Sequence, residues 1–369
     1  MVVKKDQRAL RAPGVPPLLQ DAAAWCWRII VIGLAITLLG MLARKLELVV
    51  IPLLTALLLA ALLSPVTNRL ERLRLPRAAA AIVTVLLAIA VLGGIGAFVV
   101  NRAAAGYPEL VNQVGHLVDQ TQRWLTTGPL HLEQSGDLGT RITDALQSRK
   151  GQVASGILSA GRTIADVVTG VVLTLFLTLF LLYDGSRIWS WCTGLFPDSE
   201  RGRTDRVGER MWHTLSGYVT GTFIVALFHG AIMGITLAIL GVPLVAPLAV
   251  LVFIGGFIPL IGAVVFGGLA VLVTLVTNGP TAALVVLIVL VVGNQIESHV
   301  LQPFVVGRHV SLHPMAIAVT LTSGAVLAGL PGAIFAVPLV AAINAAAVEL
   351  RPPREADARP SAAQVELQT

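Results

Sequence analysis

Glu297 is the side chain whose setting most invites chemistry. It lies near the end of an apolar run, in GNQIESHVLQPF, and no other carboxylate occurs between Glu209 and Glu349. An ionisable group at membrane depth is costly and marks a functional site by default. Asn294, Gln295, His299 and Gln302 surround it in the sequence. On a helix Asn294 lies three residues before Glu297, and Gln295 four before His299, so each pair shares a face. Arg308 is the only Arg or Lys from Met211 to Leu350 and a natural partner for Glu297. Two readings stand. In one, Glu297 and its polar neighbours form an ion-coupling or gating site. In the other, Glu297 snorkels to an interface or pairs with Arg308 to fix a loop.

The second feature is FIPLIGAVVFGG (257–268), where Pro259 and Gly262 would interrupt a helix and free its carbonyls. Pro331, in Gly329-Leu330-Pro331-Gly332, marks a similar break further on. Broken helices line solute and ion paths in secondary transporters. The alternative is a packing kink, with small residues that let helices approach closely. Five of the seven histidines fall between His213 and His313. His309 and His313 have the spacing of helical zinc ligands, but HVSLH lacks the Glu of H-E-x-x-H and Pro314 follows, so no metal site is expected. His229 stands alone in an apolar helix, where hydrogen bonding within the bundle is the leading reading and a proton relay the second. Asp184 ends an apolar run, where a helix C-terminus disfavours a carboxylate, and calls for a partner such as Arg187. Walker A and G-x-S-x-G are both absent, and Ser323 lies in TSGAV. No enzyme activity and no cofactor are expected, so any active transport must draw on an ion gradient.

These residues must be positioned by membrane helices. The chain has 369 residues, 56% hydrophobic and 12% charged. Soluble domains carry about twice that share of charge. Disorder and disulfide scaffolds are excluded by the apolar content and by a count of two cysteines. Between Arg210 and Glu297 lie 86 residues without Asp, Glu, Lys or Arg, and 309–348 is a second such run of 40. As helix the first would reach about 130 Å, roughly four crossings of a ~30 Å hydrocarbon core. Unpaired backbone groups are not tolerated there, so the runs must be helical, and a β-barrel would show short alternating segments instead.

The expected fold is all-α: a polytopic transmembrane protein of about eight segments, with broken or hairpin helices in its C-terminal half. A basic tail (1–26) precedes three transmembrane helices (27–100). An amphipathic helical insert (101–158) follows, then a C-terminal bundle (159–349) and a disordered tail (350–369). The segments 244–278 and 314–349 are too long for one straight crossing and are read as long tilted helices or as helical hairpins. Arginines and lysines gather at 1–28, 69–77 and 184–210, with five of the six tryptophans beside them. By the positive-inside tendency that side is cytoplasmic, as are both termini, and the insert is extracytoplasmic. Cys26 and Cys192 then lie at a reducing face, where a disulfide is not expected. The net charge of +6 suits anionic lipid headgroups, and no nucleic-acid module is visible.

Several stretches carry a family resemblance: LLSPVTNRLERLRLPRAAA (62–80), LLYDG (181–185), GGFIPLIG (255–262), and above all NQIESHVLQPFVVGRHVSLHP (294–314) with the following GLPGAIFAVPL. Over about residues 27–349 the chain resembles the autoinducer-2 exporter family, the PerM-type permeases of bacteria. The resemblance implies a multi-pass plasma-membrane protein of about eight segments that assembles as homo-oligomers, with pentamers among the candidate forms. It implies export of a small polar solute of the autoinducer-2 type, without nucleotide hydrolysis, or monovalent cation/proton exchange. The partners implied are the lipid bilayer, a small solute, and sodium or a proton. The positions that match the family's motifs are Pro259, Gly262, Asn294, Gln295, Glu297, Pro303, Gly307 and Pro314. A reading from a different class is a non-transporting oligomeric scaffold whose insert binds a partner outside the cell.

Overall fold

The computed structural model describes residues 17–127, 138–258, 262–306 and 313–350. Pro259, Gly307 and Arg308 lie outside the described residues, and with them the expected Glu297–Arg308 pair. The chain divides into a unit up to Val50 and a larger one from Ile51. The first holds helix α1 (Pro17–Lys45), with the shorter apolar stretch Cys26–Leu42.

Helices α2 (Glu47–Arg72), α3 (Arg77–Thr127) and α4 (Leu138–Gly194) follow. Then come α5 (Asp198–Ile239), α6 (Val245–Gly255), α7 (Gly268–Asn278), α8 (Pro280–Ile296) and α9 (Pro314–Glu349). π-Helical turns at Ala263–Gly267 and Glu297–Val306 lead into α7 and out of α8. Among the described residues, six helical stretches are long and apolar enough to cross a bilayer: Glu47–Arg72, Arg77–Ala105, Asp166–Gly194, Asp198–Ile239, Pro280–Leu301 and Met315–Glu349.

Several helices outrun their apolar segments. At 51 and 57 residues, α3 and α4 extend about 77 and 86 Å. The two amphipathic helices expected around 101–157 are therefore continuations of α3 and α4 rather than separate elements. The basic stretch 184–210 is largely helix: α4 runs to Gly194 and α5 starts at Asp198. Charge ends a membrane span but not a helix, because arginine is a good helix former in water.

The interface of α2 with α3 is built from alanine. Ala60 and Ala81 are almost fully buried in one cluster, and the buried Thr67 hydroxyl donates to Thr84 Oγ1 at 3.1 Å, while Ala61 packs toward α5 and α9. In lipid the apolar effect does not drive helices together, so close backbone approach and interhelical hydrogen bonds carry the association. Large apolar side chains such as Leu86, Leu92 and Val172 point outward instead.

Helix α5 is the spine of the C-terminal half. Its small residues Ala226, Gly230 and Gly234 repeat every fourth position and receive α6. A Cβ on Gly230 would meet Phe253 Cβ at 2.9 Å, and one on Gly256 would meet Ala226 Cα at 2.8 Å. The segment 244–278 is a hairpin, as the second sequence reading allowed. Gly262 lies so close to Gly255 that a Cβ on it would overlap the Gly255 carbonyl. The mouth of this hairpin sits at the C-terminal end of α5, where Asn278 Nδ2 donates to the Leu240 carbonyl at 2.9 Å. With 11 residues, α6 descends about 17 Å, roughly half a hydrocarbon core.

The segment 314–349 is a hairpin as well. Ala328 (φ −140°, ψ 23°) and Gly329 (φ 62°, ψ −142°) leave helical geometry, and a Cβ on Gly324 would meet Ala336 Cβ at 2.6 Å. Residues that far apart in a straight helix are separated by about 18 Å. The left-handed φ at 329 suits glycine, which lacks the Cβ that disfavours it. The mouth of this second hairpin lies at the opposite, N-terminal end of α5. There Arg206 pairs with Glu349 at 3.9 Å, and the Arg203 guanidinium donates to the Leu350 carbonyl at 2.8 Å. The tips converge. Ile258 from the first hairpin joins Leu321 and Ala333 from the second in one buried cluster with Leu215, Tyr218 and Val219 of α5.

Candidate functional site

About 15 Å further along α5 than Val219 stands His229, and α8 leads into Glu297 beside it. His229 Nε2 lies 3.5 Å from Glu297 Oε2, with the two side chains 9% and 25% exposed. The separation suits an ion pair but falls outside hydrogen-bond geometry, and Nε2 has no other partner among the described residues. Gly293, one turn before Glu297, leaves room for the imidazole, because a Cβ there would stand 3.7 Å from the ring. Phe228 packs edge-on to the same ring, with centroids 5.6 Å apart. On the α6 side, Phe223, Phe253 and Phe257 form an aromatic cluster with centroid separations of 5.5 to 6.5 Å.

Glu297 also opens the π-helical segment. Pro303 falls inside it. A proline has no N–H to give to an α-helical ladder. Such π-segments recur at functional sites because they unsettle the backbone ladder.

The expected polar cluster divides between two faces. Asn294 and Glu297 are half-buried on the side facing α5, as their three-residue spacing requires. Gln295 and His299 are exposed, and His299 Nδ1 bonds the Gln295 carbonyl at 3.0 Å. Gly262 forms the close turn of the first hairpin, while Pro331 follows the break of the second. Pro314 is the first residue of α9, where a missing N–H costs nothing, and His313 caps that helix by accepting from the Met315 N–H at 3.3 Å. Asp184 has the expected partner, with Arg187 Nη1 3.3 Å from its carboxylate. The pairing of His229 with Glu297 is the contact that sequence reasoning missed. Its one signal is chemical: a histidine buried in a charge-free run needs a polar partner, and few exist between 211 and 348.

Comparison with known proteins adds the family. The family model described as AI-2E family transporter matches residues 29–351. A Mycobacterium tuberculosis protein named for an inferred transport role, MT0215, is 46% identical over 332 residues, covering 89% of this chain and 90% of its own length. Bacillus subtilis YueF, also named for an inferred transport role, is 27% identical over 305 residues, covering 80% of this chain and 82% of its own. A sodium-lithium/proton antiporter of Halobacillus andaensis is 25% identical over 336 residues, covering 87% of this chain and 94% of its own. With helices that fit a bilayer and a match across nearly its whole length, the chain belongs to the AI-2E family of membrane transporters.

Proposed function

We propose that this protein is a multi-pass plasma-membrane permease that exports a small polar solute, of the autoinducer-2 type, at the expense of an ion gradient. The observation that carries the reading is Glu297. It is a carboxylate inside an apolar span, placed against His229 of α5. A charge at that depth is expensive, and a role in coupling explains its presence better than packing does. In this reading the hairpins around Gly262 and Pro331 line the path, and Asn294 lies on the side of α8 that faces it. Gln295 and His299, on the outer face, stand away from the path. Both termini are cytoplasmic, and the protein works as a homo-oligomer in the lipid bilayer.

The test is flux in proteoliposomes loaded with autoinducer-2 under an imposed ion gradient. Glu297→Gln should reduce gradient-driven efflux to background while the protein remains monodisperse. Wild-type efflux from the variant would remove Glu297 from the mechanism.

A second reading, monovalent cation/proton antiport, is favoured by the likeness to the Halobacillus antiporter. It requires a pH change in everted vesicles after a sodium or lithium pulse, and a silent pulse counts against it.

A further inference from the structure

The coupling ion can be argued from the same site, and this step rests on the transport reading above. The elements packed on α5 present few titratable groups to His229, and His299 of the Glu297–Val306 segment is exposed on the outer face. Helices α6 and α8 carry no Asp, Glu, Lys or Arg. The charge on α9 is Glu349, held at the far end by Arg206. On α4, Asp184 is engaged by Arg187 near the basic end. Among the described residues, Glu297 is the one titratable group against the imidazole, and the remaining neighbours are Phe228 and the Gly293 backbone.

At 3.5 Å a proton on either group is felt by the other. With no proton the pair carries −1, and with two it carries +1. With one proton it is neutral, whether that proton sits on nitrogen or oxygen. A net charge in a medium that solvates poorly is strongly disfavoured, so one proton is the resting load. Hard cations favour shells of oxygen ligands, and what faces the Glu297 carboxylate across the helix interface is an imidazole nitrogen.

We infer that His229 and Glu297 jointly hold one exchangeable proton, and that the ion coupled to transport at this site is the proton rather than sodium or lithium. The proton comes from water at one face and returns to water at the other. Its departure leaves the pair at −1, a state that needs contact with water. Release is therefore tied to an opened bundle, and a proton is required before the bundle closes again.

The test is infrared difference spectroscopy of the full-length protein in proteoliposomes, stepped through pH in choline chloride. Wild type should show a carboxyl band that Glu297→Gln removes. His229→Gln should move the midpoint of that band, because the carboxyl then loses the imidazole beside it. Replacing choline with sodium or lithium should leave the wild-type midpoint in place. A midpoint that follows the sodium or lithium concentration overturns the inference, and this arm needs only wild-type protein. An unchanged midpoint in His229→Gln overturns it too. If the band behaves as expected but Glu297→Gln vesicles still carry solute at the wild-type rate, the transport reading falls and the proton pair stands.

Discussion

At the scale of single residues, the site depends on space as much as on charge. Gly293 gives the imidazole its place, and a Cβ there would make ordinary contact at 3.7 Å. Gly293→Ala should therefore keep transport near the wild-type rate. Gly293→Leu should drive the ring away from Glu297 and lower flux at least tenfold, with elution from size exclusion unchanged. Equal losses in both variants would mean that Gly293 serves helix packing rather than the pair. Gly256 is the contrasting case. Its Cβ would fall 2.8 Å from the Ala226 backbone, which cannot yield as a side-chain tip can. Gly256→Ala should lose stability by about 1–3 kcal/mol, the usual cost of overpacking, read as a lower unfolding midpoint in detergent. Glu297 was legible in the sequence because a lone carboxylate stands out in a charge-free run. Its partner was not, because a single histidine in an apolar helix leaves no periodic trace. The division of Asn294 and Glu297 from Gln295 and His299 follows from helical spacing alone. Which face turns inward depends on α5, and no local pattern in α8 announces that.

At the scale of elements, the two hairpins hold themselves together by glycine contacts. Gly262 rests on Gly255, and Gly324 rests on Gly332, with no room for a Cβ at any of these positions. Alanine at 262 or at 332 should force its hairpin open and abolish flux. Gly268, beside the first hairpin, has nothing within 4 Å of an added Cβ, so Gly268→Ala should behave as wild type. If flux survives Gly262→Ala and Gly332→Ala, the hairpin tips are not part of the path. The prolines and glycines told where the helices break. They did not tell whether the chain continues or turns back, since both outcomes relieve the same lost hydrogen bond. The choice is made by long-range packing: Ala226, Gly230 and Gly234 of α5 accept α6, and Leu215, Tyr218 and Val219 accept the arms of α9. Helix ends were misjudged for a related reason. Hydropathy reports where lipid ends, whereas α3, α4 and α5 continue into water on residues that favour helix.

At the scale of the whole bundle, the arrangement has a direction. The first hairpin has its mouth where α5 ends and α8 begins, beside Leu240 and Asn278. The second has its mouth where α5 begins, fastened by Arg203 and Arg206. Each descends far enough to meet the other near Ile258 and Ala333. Two hairpins with mouths at opposite ends of α5 could seal the centre from either side, which is what a path that opens alternately requires. In the proposed orientation the arginines at the N-terminal end of α5 lie in the cytoplasm. The two mouths must then face different compartments, and this can be read chemically. In a background with Cys26 and Cys192 replaced by serine, Thr281→Cys should react with a membrane-impermeant maleimide applied to intact cells. Ser199→Cys and Met315→Cys, at the other end, should react only in everted vesicles. All three native positions are exposed, so reactivity reports the side of the membrane rather than burial. Labelling of Thr281→Cys and Met315→Cys from the same side would place both mouths on one face, and no closure from opposite sides could then operate.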